Sequence, residues 1–329
     1  MNAISGALGA SNGGVFSRGE ALDCGESDKS LAAACRGGDL VRLRHGMYVA
    51  APVFHAAEDV GRHLLYARAA LAAQRGKVAL TGASAAALHG FAIYQQDLSI
   101  VHLLRMDGGS SHHSGATNHH RLHRAVNPDE VGSYGGLPAV TPARAVWEVG
   151  CTSSLEAGVV TADAALRCDP SLREAVADLN ERFAHVPGSR GARLALRLAN
   201  PLAESPGESV TRVQFFRYGI PAPTLQQEIC DDRGRLIGRV DFGWEEFRHL
   251  AEFDGKVKYE SLLRPGESAS DCVFREKRRE DELRALRHGM TRIVWAMVMR
   301  RQSRASMAEL RASLEQSRRL YVPGYAVAS

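Results

Sequence analysis

The sequence predicts an α/β protein of the α+β, multidomain kind, and three observations predict it. The chain has 329 residues, 45% of them apolar, enough for two or three domains with real cores. Residues 15–53 alternate short helical patches with turns and close on a basic hairpin pattern, LVRLRHGMYVAAP. Residues 204–298 run helix, strand, strand, strand, helix, strand by their apolar periodicity.

Composition narrows the class further. No run of 18 uncharged apolar residues exists, and the start MNAISGALGASNGG lacks the charged and apolar segments of a secretory signal, so a cytoplasmic protein with no membrane partner is expected. Cys24, Cys35, Cys151, Cys168, Cys230 and Cys272 are scattered without C-x-x-C spacing, which argues against a disulfide framework and a structural zinc site. The net charge of +4 is small, but residues 275–319 hold thirteen Lys/Arg against six acids, so the excess lies at the C-terminal end.

After a disordered start at 1–14, the first elements follow from cap signals. A helix from about Ser17 stops at Gly25, and a second, capped by Ser27, stops at Gly37. Leu40 and Val41 then enter a two-strand wing that turns at His45-Gly46 and returns through Tyr48-Val49. Short helices followed by a basic hairpin predict a winged helix-turn-helix over 15–53. Its phosphate-positioning cations would be Lys29, Arg36, Arg42 and Arg44, with the helix near 27–36 in the major groove of DNA. Residues 15–50 hold five Lys/Arg and five acids, so a protein-binding winged helix is the other reading.

The order F-x-R-x-x-A-L-x-x-G, then Leu31, then G-x-L-V-R-L-R-x-G-x-Y-V resembles the N-terminal domain of the AbiEi family, antitoxins of type IV toxin–antitoxin systems. Residues 54–190 begin with an Ala/Leu-rich helix and resemble the family's middle α/β domain at Ser84 to Gly90 and at Val140 to Arg144. The resemblance implies DNA and a cognate toxin as partners. Pro187 to Gly191 marks a break.

The C-terminal pattern over 200–300 carries the chemistry. Metal-dependent phosphodiester cleavage needs carboxylates converging on a hard cation and a positive group beside the attacked phosphate. Side chains alternate along a strand, so Glu252, Asp254 and Lys256 of AEFDGKVKY share one side at steps of about 7 Å. In GRVDFGW, Val240, Phe242 and Trp244 form an apolar face and leave Arg239 and Asp241 on the other. An exposed edge strand carrying alternating charge against aggregation accounts for the same pattern.

Asp241, Glu252-Phe-Asp254-Gly255 and Arg279-Glu-Asp-Glu-Leu283 with Gly289 resemble, in that order, the PD-(D/E)xK nuclease superfamily and its very-short-patch-repair-like endonuclease branch. The resemblance implies Mg²⁺ or Mn²⁺ on Asp241, Glu252 and Asp254, with Lys256 as phosphate stabiliser or activator of the attacking water. Whether Glu252-x-Asp254 or Asp254-x-Lys256 is the working pair stays open. It also implies a helix-borne acid, for which Glu208 is the candidate, although Ser205-Pro206-Gly207-Glu208 is equally a capping box. Lys277, Arg278 and Arg279 either face phosphate or belong to a solvated helix laced with i,i+4 pairs. Residues 301–329 read as a basic tail, helical in part.

Two further features yield no site. The histidines of SHHSGATNHHRLH, 111–123, lack a carboxylate or cysteine spacing for metal. His89, ending an Ala-rich helix, reads as a partner of the helix dipole.

Overall fold

The computed structural model describes residues 12–74, 78–106, 120–123, 128–255, 278, 282–283, 285–299 and 301–323. The chain divides into two units, residues 1–197 and 198–329.

The first unit opens with β1 (Val15–Ser17), α1 (Arg18–Asp23), α2 (Asp28–Gly37), β2 (Leu40–Arg44) and β3 (Met47–Ala50). Ser17 and Ser27 cap the two helices through reciprocal capping boxes, as the spacing predicts, and the left-handed residue that ends α2 is Gly38. The sheet order is β1-β3-β2, with the wing turning at Gly46 (φ 73°), a conformation open to glycine at no steric cost. One set of buried side chains, Phe16, Ala21, Leu31, Leu40 and Tyr48, joins the helices to the sheet, and Phe16 stacks on Tyr48 at 5.9 Å. The remaining set, Val15, Leu43, Met47 and Val49, packs with Leu65 and Ala69. After α3 (Ala51–Ala56), those two residues lie on α4 (Asp59–Ala73), so the predicted linker helix is the second support of the wing.

The rest of this unit is a five-stranded sheet in the order β6-β5-β4-β8-β7, from β4 (Val78–Leu80), β5 (Val101–Arg105), β6 (His120–His123), β7 (Val131–Tyr134) and β8 (Leu137–Val140). Its helices are α5 (Gly82–Leu88), α6 (Pro142–Thr152), α7 (Leu155–Cys168), α8 (Leu172–Arg182) and α9 (Ser189–Leu198). The family-like motifs do structural work here. Ser84 is fully buried; its hydroxyl accepts the His102 N–H (2.8 Å) and donates to His63 Nε2 (2.9 Å), because His63 Nδ1 donates to the Leu98 carbonyl (2.8 Å). His89 does not serve the dipole of its own helix. Its Nε2 donates to the Val140 carbonyl of β8 (2.9 Å), and burial lowers its pKa so that the ring stays neutral. Arg144 lies between Glu130 (3.0 Å) and Glu148 (2.8 Å) and over the ring of Trp147, while Glu148 also accepts from Thr81 and the Gly82 N–H. Of the histidine-rich stretch, 120–123 is strand β6, and the remainder lies outside the described residues.

The second unit holds α10 (Pro206–Tyr218), β9 (Thr224–Cys230), β10 (Leu236–Trp244), β11 (His249–Asp254), β12 (Gly289–Val294), α11 (Trp295–Val298) and α12 (Ser303–Tyr321). The sheet order is β12-β11-β10-β9; the first three strands form an antiparallel meander and β12 pairs parallel to β11. Helix α10 is buried over most of its length, from Gly207 to Phe215, and Phe215 meets Phe242 and Trp244 edge-on at 5.2 and 5.3 Å. Such aromatic pairs add about 0.5–1.5 kcal/mol beyond the area they bury.

Two expectations change. Val240 does not share a face with Phe242 and Trp244: it joins Ile229, Leu250 and Leu283 in a separate cluster. The stretch from 301 is not a tail up to residue 321, because α12 buries Met307, Leu310 and Leu314 in this unit. Residues 324–329 lie outside the described residues.

Candidate functional site

Helix α10 brings Glu208 into the second unit's interior. Pro206 and Ser205 begin the helix, and the Ser205 Oγ accepts the Glu208 N–H (3.2 Å). At Gly207 a Cβ would run into the ring of Phe253, so only glycine lets the helix start press on β11. Glu208 is buried and its carboxylate accepts from Ser205 Oγ (2.7 Å), the Glu204 N–H (2.9 Å) and Gln226 Nε2 (2.9 Å). The capping reading of Glu208 is met, and the same side chain faces the sheet through Gln226.

The group it meets across Gln226 is Asp241. Register pairs Gln227 with Val240 and Leu225 with Phe242, so Gln226 stands opposite Asp241, and Gln226 takes a left-handed φ of 49°. A residue other than glycine in that region costs about 1–3 kcal/mol, a cost concentrated at functional sites. Gln226 Nε2 also reaches Asp241 Oδ1 (3.4 Å), and Asp241 Oδ2 accepts the Phe253 N–H (2.8 Å). Burial, and then the Glu208 carboxylate, push the Asp241 pKa up to about 6. Two acids from distant parts of the chain are thus held on one amide.

The neighbouring positions are placed by β11. Extending the register from Phe242–Ala251 by one step sets Glu252 opposite Asp241. Asp254 lies 3.5 Å from Arg292 of β12. The three carboxylates Asp241, Glu252 and Asp254 do not converge as expected: among the described residues no group of three or more His, Cys, Asp or Glu side chains could hold a metal. Asp254 pairs with Arg292 on the parallel strand, while Asp241 is held by Gln226 of β9 and the Phe253 N–H. Lys256, Lys277 and Arg279 lie outside the described residues; Arg278 is helical and exposed. Gln226 carried no signal in the sequence, since its role depends on a left-handed backbone inside a strand.

In the first unit, Lys29 and Arg36 are exposed on α2, and Arg44 is half-buried on the wing. Arg42 is exposed and bonds His45 Nδ1 at 2.7 Å across the wing turn. Arg18 forms a two-pronged pair with Asp28 at 2.6 Å, which ties the start of α1 to the start of α2. Among the described residues no helix is long and apolar enough to cross a membrane.

Residues 8–51 match the family model described as "Transcriptional regulator, AbiEi antitoxin", so the N-terminal part is AbiEi-like. Two curated relatives from Mycobacterium tuberculosis, uncharacterized protein Rv2248 of strain H37Rv and uncharacterized protein MT2308 of strain CDC 1551, are each 32% identical over 231 residues. The match covers 69% of this chain and 78% of theirs. This chain belongs to the Rv2248 family. The crystal structure of the RV2827C protein of the same organism is 18% identical, with a TM-score of 0.41 over 69% of this chain and 87% of its own.

Proposed function

We propose that this chain is a cytoplasmic DNA-binding protein of defence, repair or toxin–antitoxin systems whose C-terminal unit hydrolyses phosphodiester bonds with Mg²⁺ or Mn²⁺. The observation that carries the reading is the meeting of Glu208 and Asp241 on Gln226. Mg²⁺ is commonly held by one or two carboxylates together with substrate phosphate, so this oxygen pair fits it without a third acid. When bound, the cation polarises the phosphate and lowers the pKa of a bound water.

The chain's own residues would divide the remaining work. Glu208 and Asp241 would hold the cation, while Glu252, across the ladder, and Asp254 would orient water. Lys256, two positions after Asp254, offsets charge on the attacked phosphate. Lys29, Arg36, Arg42 and Arg44 seat the winged helix on the DNA backbone, and Lys277, Arg278 and Arg279 do so near the cut. Purified protein with Mg²⁺ or Mn²⁺ is expected to nick plasmid DNA, and Asp241→Ala with Glu252→Ala to stop it.

A second reading is an AbiEi-type antitoxin regulator that binds its own promoter and a toxin, with the nuclease-like fold kept for binding. The family match over 8–51 and the absence of a three-ligand group among the described residues favour it. Tight, salt-dependent promoter binding with no cleavage under either metal would select this reading.

A further inference from the structure

The first unit holds a cavity of about 380 Å³ between the start of α4 and the segment that leads into β5, lined by Arg62, His63 and Tyr66 on one side and by Asp97, Leu98 and Ser99 on the other. The nuclease reading of the second unit does not involve it. Small-molecule sites run from about 300 to 1,000 Å³, so this one suits a single small ligand and not a peptide or a nucleic acid. His63 joins the two walls: its Nδ1 donates to the Leu98 carbonyl (2.8 Å), its Nε2 accepts from buried Ser84 (2.9 Å), and burial lowers its pKa, so the ring adds no charge.

Two opposite charges line this space without pairing with each other. Arg62 donates from Nε to the Phe54 carbonyl (3.3 Å) and lies over the Phe54 ring (5.5 Å), which orients its guanidinium, and the exposed Asp59 is 3.9 Å from its NH1. Asp97 accepts the Ser99 hydroxyl (2.5 Å) and the Ser99 N–H (2.9 Å) on one oxygen, Oδ1, and these bonds hold its pKa below the usual carboxylate range. The carboxylate is thus ionised, with Oδ2 left to accept. A guanidinium takes a carboxylate with two parallel bonds, and a carboxylate takes an ammonium. A ligand carrying one of each answers both walls; a lone anion would stand against Asp97, and a lone cation against Arg62.

We propose that this cavity binds a free α-amino acid, with its carboxylate on Arg62, its ammonium on Asp97 and its side chain along Tyr66 and Leu98, and that occupancy stiffens the winged helix. The second part follows from packing. Phe54 and Tyr66 both lie against the core of Val15, Leu43, Met47 and Val49, and they meet edge-on at 5.9 Å. A ligand that holds Arg62 and Tyr66 therefore holds the residues that support β2 and β3, a contiguous path from the cavity to the wing.

The test is titration calorimetry of the full-length protein with each of the twenty standard α-amino acids at millimolar concentration, and with inorganic phosphate and putrescine as probes of a single sign of charge. At least one amino acid is expected to bind. Its N-acetyl and carboxamide derivatives, each lacking one charge, should bind about 10- to 100-fold more weakly, the range for a hydrogen bond to a charged group. Arg62→Gln should weaken the amino acid by a similar factor and leave its carboxamide unchanged; Asp97→Asn, which keeps an acceptor for Ser99, should weaken the amino acid and spare the N-acetyl form. Hydrogen exchange in β2 and β3 should slow on binding. No binding by any amino acid, binding of phosphate or putrescine alone, or derivatives and variants that bind as tightly as the parent pair would overturn the site. Binding that leaves exchange in β2 and β3 unchanged would overturn the coupling to the wing.

Discussion

Glu208 of the buried helix α10 and Asp241 of strand β10 are bridged by the side chain of Gln226, at 2.9 and 3.4 Å. Asp241, buried and beside the Glu208 carboxylate, resists ionisation, which lowers stability at neutral pH unless a cation is present.

The first prediction follows from the sign of that cost. The pKa of Asp241 is raised in the folded protein to about 6 from an ordinary 3.8, so folding is favoured below pH 3.8 and the advantage is lost as pH rises through about 6. The ionised group then costs about 3 kcal/mol at neutral pH. Asp241→Asn keeps an acceptor for the Phe253 N–H and removes the charge. In metal-free buffer it is expected to melt above wild type at pH 7.5, with the difference vanishing near pH 4, while cleavage is abolished.

Glu208 separates capping from chemistry. Glu208→Ala strands the Glu204 N–H and one Gln226 donor, and is expected to cost about 1–3 kcal/mol in denaturant unfolding. Glu208→Gln keeps an acceptor oxygen and is expected to fold nearly as well as wild type. Both should lose Mn²⁺ binding. Metal binding left intact in Glu208→Gln would reduce Glu208 to a cap.

An acid transition is expected in the second unit. His249 bonds Ser317 and Thr291 in the interior, and burial, then His288, lower its pKa to about 4; His288 is lowered to about 4 by burial and by Arg248. Each ring is neutral when folded, so the stability present above pH 6.5 is lost as pH falls toward 4, by about 3 kcal/mol per histidine. Equilibrium unfolding measured between pH 7 and pH 4 should show this slope, and His249→Gln should flatten it.

For the winged helix, Lys29→Ala and Arg36→Ala remove exposed cations from α2. Each is expected to weaken DNA binding about equally across sequences and to reduce the slope of log affinity against log salt by about 1. Binding titrations at several salt concentrations check this. An unchanged slope would favour the protein-binding winged helix.

Much of this was legible in the residues. The helix start near Ser17, Ser27 as a cap, the His45-Gly46 turn and the helix followed by three strands after 204 follow local rules that need no tertiary information, and the structure bears them out, whereas the end of the predicted last strand is a helix at Trp295–Val298. Strict alternation predicts a common face for Val240, Phe242 and Trp244, but Val240 packs with Ile229, Leu250 and Leu283, a grouping set by contacts between distant segments that spacing along one strand does not encode. The stripe Met307, Leu310, Leu314 of α12 was present at helical spacing but diluted by basic residues, so the helix read as a tail. The carboxylates were found as a set of types; their partners depend on contacts between distant segments, which spacing along a strand does not encode.

The most direct measurement is anomalous diffraction from crystals of the full chain soaked in Mn²⁺. A peak between Glu208 and Asp241, at about 2.1 Å from a carboxylate oxygen of each, is the predicted result. Density in which Gln226 still bridges the two acids, with no peak between them at saturating Mn²⁺, would contradict the account.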